Sequence, residues 1–316
     1  MTALDFGAII ANLMVPDKDG KLDDIVLGFD DVAGYEVNGC FFGSFIGRHG
    51  NRIGDAKFEL NGVTYDLEKN DGKNNLHGGT PGYHKVMYQA QTGENSVTFT
   101  RVSPDMEQGY PGNLDIAVTY TLTDEDELKI DYKMKSDKDT LCNPTNHSYF
   151  NLKGHNGGTI TDHLLQLNAD GFTETSEDLI PNGTIVDVTG TPMDFRTKKA
   201  IAKDIDADYE PLKIAGGYDH NFVLNKEEGK LEKIGEVSEE TTGRTMEIYT
   251  DLPGMQLYSG NFIVKEDGKG GNVYTQRTGV CFETQYFPNS INIPEFKSCV
   301  LKAGEEFNST TIYKFV

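Results

Sequence analysis

Strict alternation of apolar and polar residues is the dominant periodicity of this chain. In ELKIDYKMKS (127–136), Leu128, Ile130, Tyr132 and Met134 share one face and Lys129, Asp131, Lys133 and Lys135 the other, the period-two pattern of a half-buried strand. VMYQAQ (86–91), SVTFTRV (96–102), LDIAVTYTL (114–122), HLLQLNA (163–169), TMEIYTD (245–251), GMQLYSG (254–260) and GVCFETQYF (279–287) also read as strands, separated by Gly, Asn, Asp and Pro clusters. Asn61-Gly62 between FEL and VTYDL is the strongest hairpin signal. Helical periodicity is scarce, and its best candidate is TKKAIAKDI (197–205), one or two turns long. FGAIIANLMV (6–15) resembles a signal-peptide core, but no basic residue precedes it and Asp5 does, so it reads as a buried strand pair. Many short strands with few helices predict an all-β fold, a large antiparallel β-sandwich or barrel, over a doubly wound α/β fold.

Composition narrows the partners more than the fold. The 35 glycines and 11 prolines are spread without a linker, composition break or fixed-period repeat, so one domain over 1–316 is expected. Fifty acidic against 29 basic residues give a net charge of −21, which repels phosphate backbones and anionic lipid. Neither nucleic acid nor membrane is an expected partner. No apolar run reaches the ~18 residues of a spanning helix. Four cysteines at 40, 142, 281 and 299 form no CxxC pair and fit reduced thiols in a cytoplasm.

Four stretches carry polar residues that core packing does not require: GRHGNRI (47–53), NNLHGG (74–79), NPTNHSYFNL (143–152) and GVCFETQYFPNSIN (279–292). Alternation places His147, Tyr149 and Asn151 on one face and Ser148, Phe150 and Leu152 on the other. His147 has three readings: a general acid or base, a hydrogen-bonded core histidine, or part of the formal Asn146-His147-Ser148 sequon. Glu283 shares a face with Cys281, Gln285 and Phe287; it is either a desolvated base or a solvent-facing glutamate of an edge strand. The seven histidines fall into no HExxH or Cys/His framework, and no metal is expected. EDGKGGN (266–272) lacks the Ser or Thr and the helix of a phosphate loop and reads as a hairpin loop; no GxSxG elbow or strand-linked GxGxxG occurs.

The four stretches, with FGAIIANLMVPDKDGKLDDIVLGFD (6–30), YDHNFVL (218–224) and PGMQLYSGNF (253–262), resemble in order and spacing the aldose 1-epimerase (galactose mutarotase) family along the whole chain. The resemblance implies a single-domain β-sandwich with an open cleft that interconverts the α and β anomers of a free aldohexose such as galactose or glucose, as monomer or homodimer, without cofactor. It implies His147 as general acid and Glu283 as general base, with Asn51, Arg52, His77, Ser148, Tyr149, Asp219 and Gln256 binding the sugar. Family members commonly carry a further stretch before the FGA-like segment, so an edge strand is expected to be missing. His49, Gly50 and Asn75 depart from the usual motif residues, and with no tryptophan any apolar platform must come from Phe or Tyr. A sugar-phosphate epimerase on the same fold would need a basic cluster near the motifs. A non-catalytic sugar-binding module would keep the cleft without needing both His147 and Glu283.

Overall fold

The alternating segments become the strands of two antiparallel sheets. A computed structural model describes residues 1–316. The larger sheet has nine strands in the order Gln89–Thr92, Ser96–Ser103, Leu114–Leu122, Glu127–Ser136, Glu306–Phe315, Thr245–Thr250, Glu232–Ser238, Leu164–Leu167 and Lys199–Ala200. The smaller has five: Pro181–Asp187, Ala169–Thr175, Asp219–Leu224, Gly254–Tyr258 and Cys281–Gln285. Leu128, Ile130, Tyr132 and Met134 are buried as their periodicity requires, while Lys133 and Lys135 are exposed.

Apolar residues of both sheets share one cluster of 45 buried side chains, among them Val118, Ile130 and Ile248 from the nine-stranded sheet and Phe222, Met255 and Phe282 from the five-stranded one. Each such side chain contributes roughly 1.5–3 kcal/mol on burial. Two polar contacts pin the layers together. The Tyr313 hydroxyl donates to the Phe282 carbonyl at 2.7 Å, and the hydroxyls of Thr284 and Thr311 meet at 2.6 Å.

Asn61-Gly62 forms the expected hairpin between Lys57–Leu60 and Val63–Asp66, and residues 266–274 form another. Two readings change. Residues 197–205 do not form an α-helix, because Lys199–Ala200 is taken up as a sheet edge against Leu164–Leu165 and only Ile201–Lys203 makes a 3₁₀ turn. The α-helices are instead Val32–Glu36, capped by the Asp31 side chain, and Glu210–Ala215, stopped by left-handed Gly216. Residues 6–15 do supply two strands, Ile9–Asn12 largely buried and Met14–Pro16 buried only at Val15, but Ile9–Asn12 pairs with Thr2–Leu4 and Met14–Pro16 with Leu22–Asp24, not with each other. No helix is long and apolar enough to cross a membrane.

Candidate active site

The five-stranded sheet turns its apolar face to the core and a polar face away from it. Register lines up that polar face in rows: Asp219 beside Tyr258 beside Cys281, then Asn221 beside Gln256 beside Glu283. Period two does this without further instruction, since Phe282 and Leu257 must enter the core. Above this floor lies a cleft of about 520 Å³.

The short strand Thr145–His147 pairs with Ser44–Ile46 and packs against Cys281–Gln285, which carries the His147 imidazole to Glu283. Their Nε2 and Oε1 atoms are 3.7 Å apart, and the residues are only 4% and 2% exposed. Glu283 Oε2 has no protein hydrogen-bond partner. Burial drives both groups toward neutrality. It raises the Glu283 carboxyl well above the ordinary carboxylate value, aided by the charge of Asp219 and opposed by Arg52. It lowers His147 to about 3. At 3.7 Å the two groups are placed to share one proton, which can pass between them.

The loop after residue 47 builds the adjoining wall. Asn51 adopts a left-handed conformation (φ 62°) that asparagine tolerates, and its side chain accepts from the Arg52 amide at 2.8 Å. Arg52 Nε donates to Asp71 at 2.8 Å, so its terminal nitrogens are what remains for a ligand. His77 follows on the paired strand Asn75–Leu76, and its Nδ1 accepts from the Asn51 amide at 3.1 Å. Gly78 after it has φ +83°, and a Cβ there would sit 2.4 Å from the Gly47 carbonyl oxygen, so only glycine closes the loop.

The side-chain donor atoms of His77, His147 and Glu283 lie within 4.8 Å of one another, close enough to share a metal ion. The Asn51 hydrogen bond argues against that use. Because His77 Nδ1 is an acceptor, the neutral ring carries its proton on Nε2 and offers the cleft a donor rather than a lone pair. Such a donor suits a hydroxyl oxygen. A metal would require removing that proton or breaking the hydrogen bond that holds Asn51.

Seven of the nine residues singled out from sequence line the cleft: Asn51, Arg52, His77, His147, Tyr149, Asp219 and Glu283. Ser148 and Gln256 do not. Ser148 lies on the opposite face of its segment, as alternation requires, and its hydroxyl donates to Asn146 Oδ1 at 2.6 Å. Gln256 shares the polar face of the sheet but does not line the cleft; its Nε2 donates to Asp219 Oδ1 at 2.6 Å. The sequence reading missed Phe41, Asp71, Glu177, Asp178, Tyr258 and Phe262, all of which line the cleft. Tyr258 and Phe262 both fall in PGMQLYSGNF and supply the aromatic platform that a chain without tryptophan must build from Phe or Tyr. Their rings stack at 6.0 Å and 24°. Phe41 stands among the rings of His77, His84 and His147 at 4.9, 4.6 and 5.6 Å. Its φ of 61° is strained for a phenylalanine.

Comparison with known proteins gives one answer. The family model for aldose 1-epimerase matches residues 1–314. The chain is 42% identical over 313 residues to galactose mutarotase of Rattus norvegicus, covering 99% of this chain and 90% of that one. It is 35% identical over 319 aligned positions to aldose 1-epimerase of Escherichia coli (strain K12), covering 100% and 92%. Among solved structures, an aldose epimerase homologue from C. elegans superposes with a TM-score of 0.92 at 31% identity, covering 99% and 94% of the two chains. The galactose 1-epimerase of Lactobacillus acidophilus NCFM gives 0.86 at 28% identity, covering 99% and 90%.

Proposed function

The chain belongs to the aldose 1-epimerase family, and from that premise we propose that it interconverts the α and β anomers of a free aldohexose such as galactose or glucose, with Glu283 as base and His147 as acid. Glu283 takes the proton of the anomeric hydroxyl while His147 Nε2 gives one to the ring oxygen. The bond between C1 and the ring oxygen breaks and the aldehyde forms. Rotation about C1–C2 and reclosure, with both proton transfers reversed, give the other anomer. Each positioned group accounts for roughly 10²- to 10⁴-fold in rate.

One observation carries this reading: the 3.7 Å approach of the imidazole and carboxyl at one wall of the cleft. The two oxygens they serve are both bonded to C1, so an acid and a base for this reaction belong side by side rather than across the ring. The remaining contacts suit hydroxyls. Asp219 accepts, Arg52 and His77 donate, and Tyr258 with Phe262 provides an apolar face.

A phosphorylated substrate suits the cleft poorly. Asp71, Glu177, Asp178 and Asp219 line it against one arginine, already bonded to Asp71. Bringing a phosphate dianion among them costs several kcal/mol, so a hexose 6-phosphate is expected to be turned over at least about 100-fold less efficiently than the free sugar. The four free cysteines support a reducing, cytoplasmic setting.

The test is polarimetry of freshly dissolved α-galactose and α-glucose, with His147→Ala and Glu283→Ala beside the unmodified protein. Rapid equilibration is expected, falling at least ~100-fold in either variant. A rate equal to that of buffer with the unmodified protein, or greater activity on the 6-phosphate, would overturn the proposal.

A further inference from the structure

The His147 ring is bracketed by one strand. Glu283 faces its Nε2 at 3.7 Å, and two residues earlier on the same face Cys281 Sγ lies 3.5 Å from its Nδ1. Cys281 is fully buried, inside a cluster with Tyr149, Tyr258 and Phe42. The titratable groups around the imidazole are Glu283, Cys281, His77, Tyr149 and Tyr258, with His84 beyond Phe41. Of these, only the Cys281 sulfur is within hydrogen-bond reach of Nδ1, and the ring's one other hydrogen-bond partner is the backbone of His147 itself.

We propose that Cys281 is a positioning residue for the reaction proposed above: its sulfur accepts a hydrogen bond from His147 Nδ1–H throughout the cycle, so that Nε2 alone gives and takes the proton. The balance is simple. Before ring opening the shared proton passes from the Glu283 carboxyl to Nε2, which leaves an ionised base beside an imidazolium. When Nε2–H then protonates the ring oxygen, the imidazolium becomes a neutral imidazole whose remaining proton is on Nδ1, still bonded to sulfur. On reclosure Nε2 takes that proton back, so no tautomer change interrupts the cycle. Burial, which raises the Glu283 carboxyl above the ordinary carboxylate value, is consistent with a bare Nε2 facing that carboxyl in the unliganded protein. Sulfur also suits the task because it is a weak acceptor without charge. A carboxylate at the same place would trap the imidazolium, whereas this catalyst must release its proton as readily as it holds it.

The test combines imidazole ¹⁵N NMR of the unliganded protein, with the His147 signals assigned from their loss in His147→Ala, and steady-state kinetics on galactose. The spectrum is expected to show the proton on Nδ1 in the unmodified protein and in Cys281→Ser, and a mixture of tautomers in Cys281→Ala. Cys281→Ala is expected to lower kcat about 10-fold, with KM within about twofold and the pH–kcat profile displaced, as for a misoriented catalytic group. Cys281→Ser should recover most of that loss. Cys142→Ala, which removes an equally buried thiol from the core, should leave the tautomer and the pH profile unchanged. A proton on Nε2 alone in the unmodified protein, equal losses in the Ala and Ser variants, or an unaltered kcat in Cys281→Ala would overturn the proposal. Polarimetry of the unmodified protein tests the epimerase reading separately, and the NMR result stands whatever that rate is.

Discussion

Asp219 shows how a single carboxyl lining the cleft is tuned by residues that do not line it. Burial raises its carboxyl above the ordinary aspartate value, while Arg52 and the Gln256 amide oppose that rise. Gln256 is itself held, because the Gln285 amide donates both to Gln256 Oε1 at 3.2 Å and to Asn221 Oδ1 at 3.1 Å. The relay from Gln285 through Gln256 to Asp219 fixes one carboxylate oxygen, and the proposed function assigns the other to a sugar hydroxyl. Gln256→Ala removes a hydrogen bond to a charged group, an interaction of about 1.5–3 kcal/mol. The expected result is a KM for galactose about 10-fold higher with a smaller change in kcat, read from steady-state kinetics. A fall in kcat at constant KM would place Gln256 in the chemistry instead. Sequence spacing alone cannot separate these roles, since Asp219 in YDHNFVL and Gln256 in PGMQLYSGNF stand in motifs of the same kind, and only the fold shows which of them lines the cleft.

At the scale of the element, GRHGNRI divides its labour in a way its composition conceals. Asn51 and Arg52 reach the cleft, whereas Arg48 turns inward, 1% exposed, and donates to the carbonyls of Pro111 and Gly112 at 2.6 and 3.0 Å and to the hydroxyls of Thr140 and Ser103 at 3.0 and 2.7 Å. It ties the cleft loop to the turn before Leu114–Leu122. Arg48→Ala strands those buried acceptors, so a loss of about 3–5 kcal/mol in unfolding free energy is expected by urea titration. Destabilisation below about 1 kcal/mol would show the loop to be held by other means. Strands were far more legible than loops. Alternation alone gives the face that Cys281, Glu283 and Gln285 share, because one strand face must enter the core. Phe41, Asp71, Glu177 and Asp178 carry no such signal, since they reach the cleft only when segments distant in sequence close over it. The apparent helix at 197–205 failed for a related reason, an edge pairing that no local propensity contains.

Across the whole molecule, buried histidines couple the cleft to the stability of the fold. His77, His163 and His220 each accept a backbone N–H through a ring nitrogen, from Asn51, Leu152 and Asp219 at 3.1, 2.9 and 3.0 Å. Protonating that nitrogen would set N–H against N–H. Burial reinforces the effect and lowers His163 and His220 to about 4 and His77 well below 6.5. Their folded values therefore lie beneath the unfolded value near 6.5. Between about pH 6.5 and 4 the unfolded chain binds more protons than the folded one, so stability present above 6.5 is lost as pH falls. One histidine shifted this far is worth about 3 kcal/mol over that interval. Thermal unfolding followed from pH 7.5 to 4.5 should show a steadily falling Tm, with a shallower fall in His163→Gln, which removes one titrating group away from the cleft. Two of the three histidines hold the backbone of Asn51 and Asp219, so sugar binding is expected to weaken before the chain unfolds, with KM rising at a pH where circular dichroism is still native. A Tm that stays level from pH 7 to 5, or a KM that rises only with unfolding, would separate the cleft from the acid response of the fold.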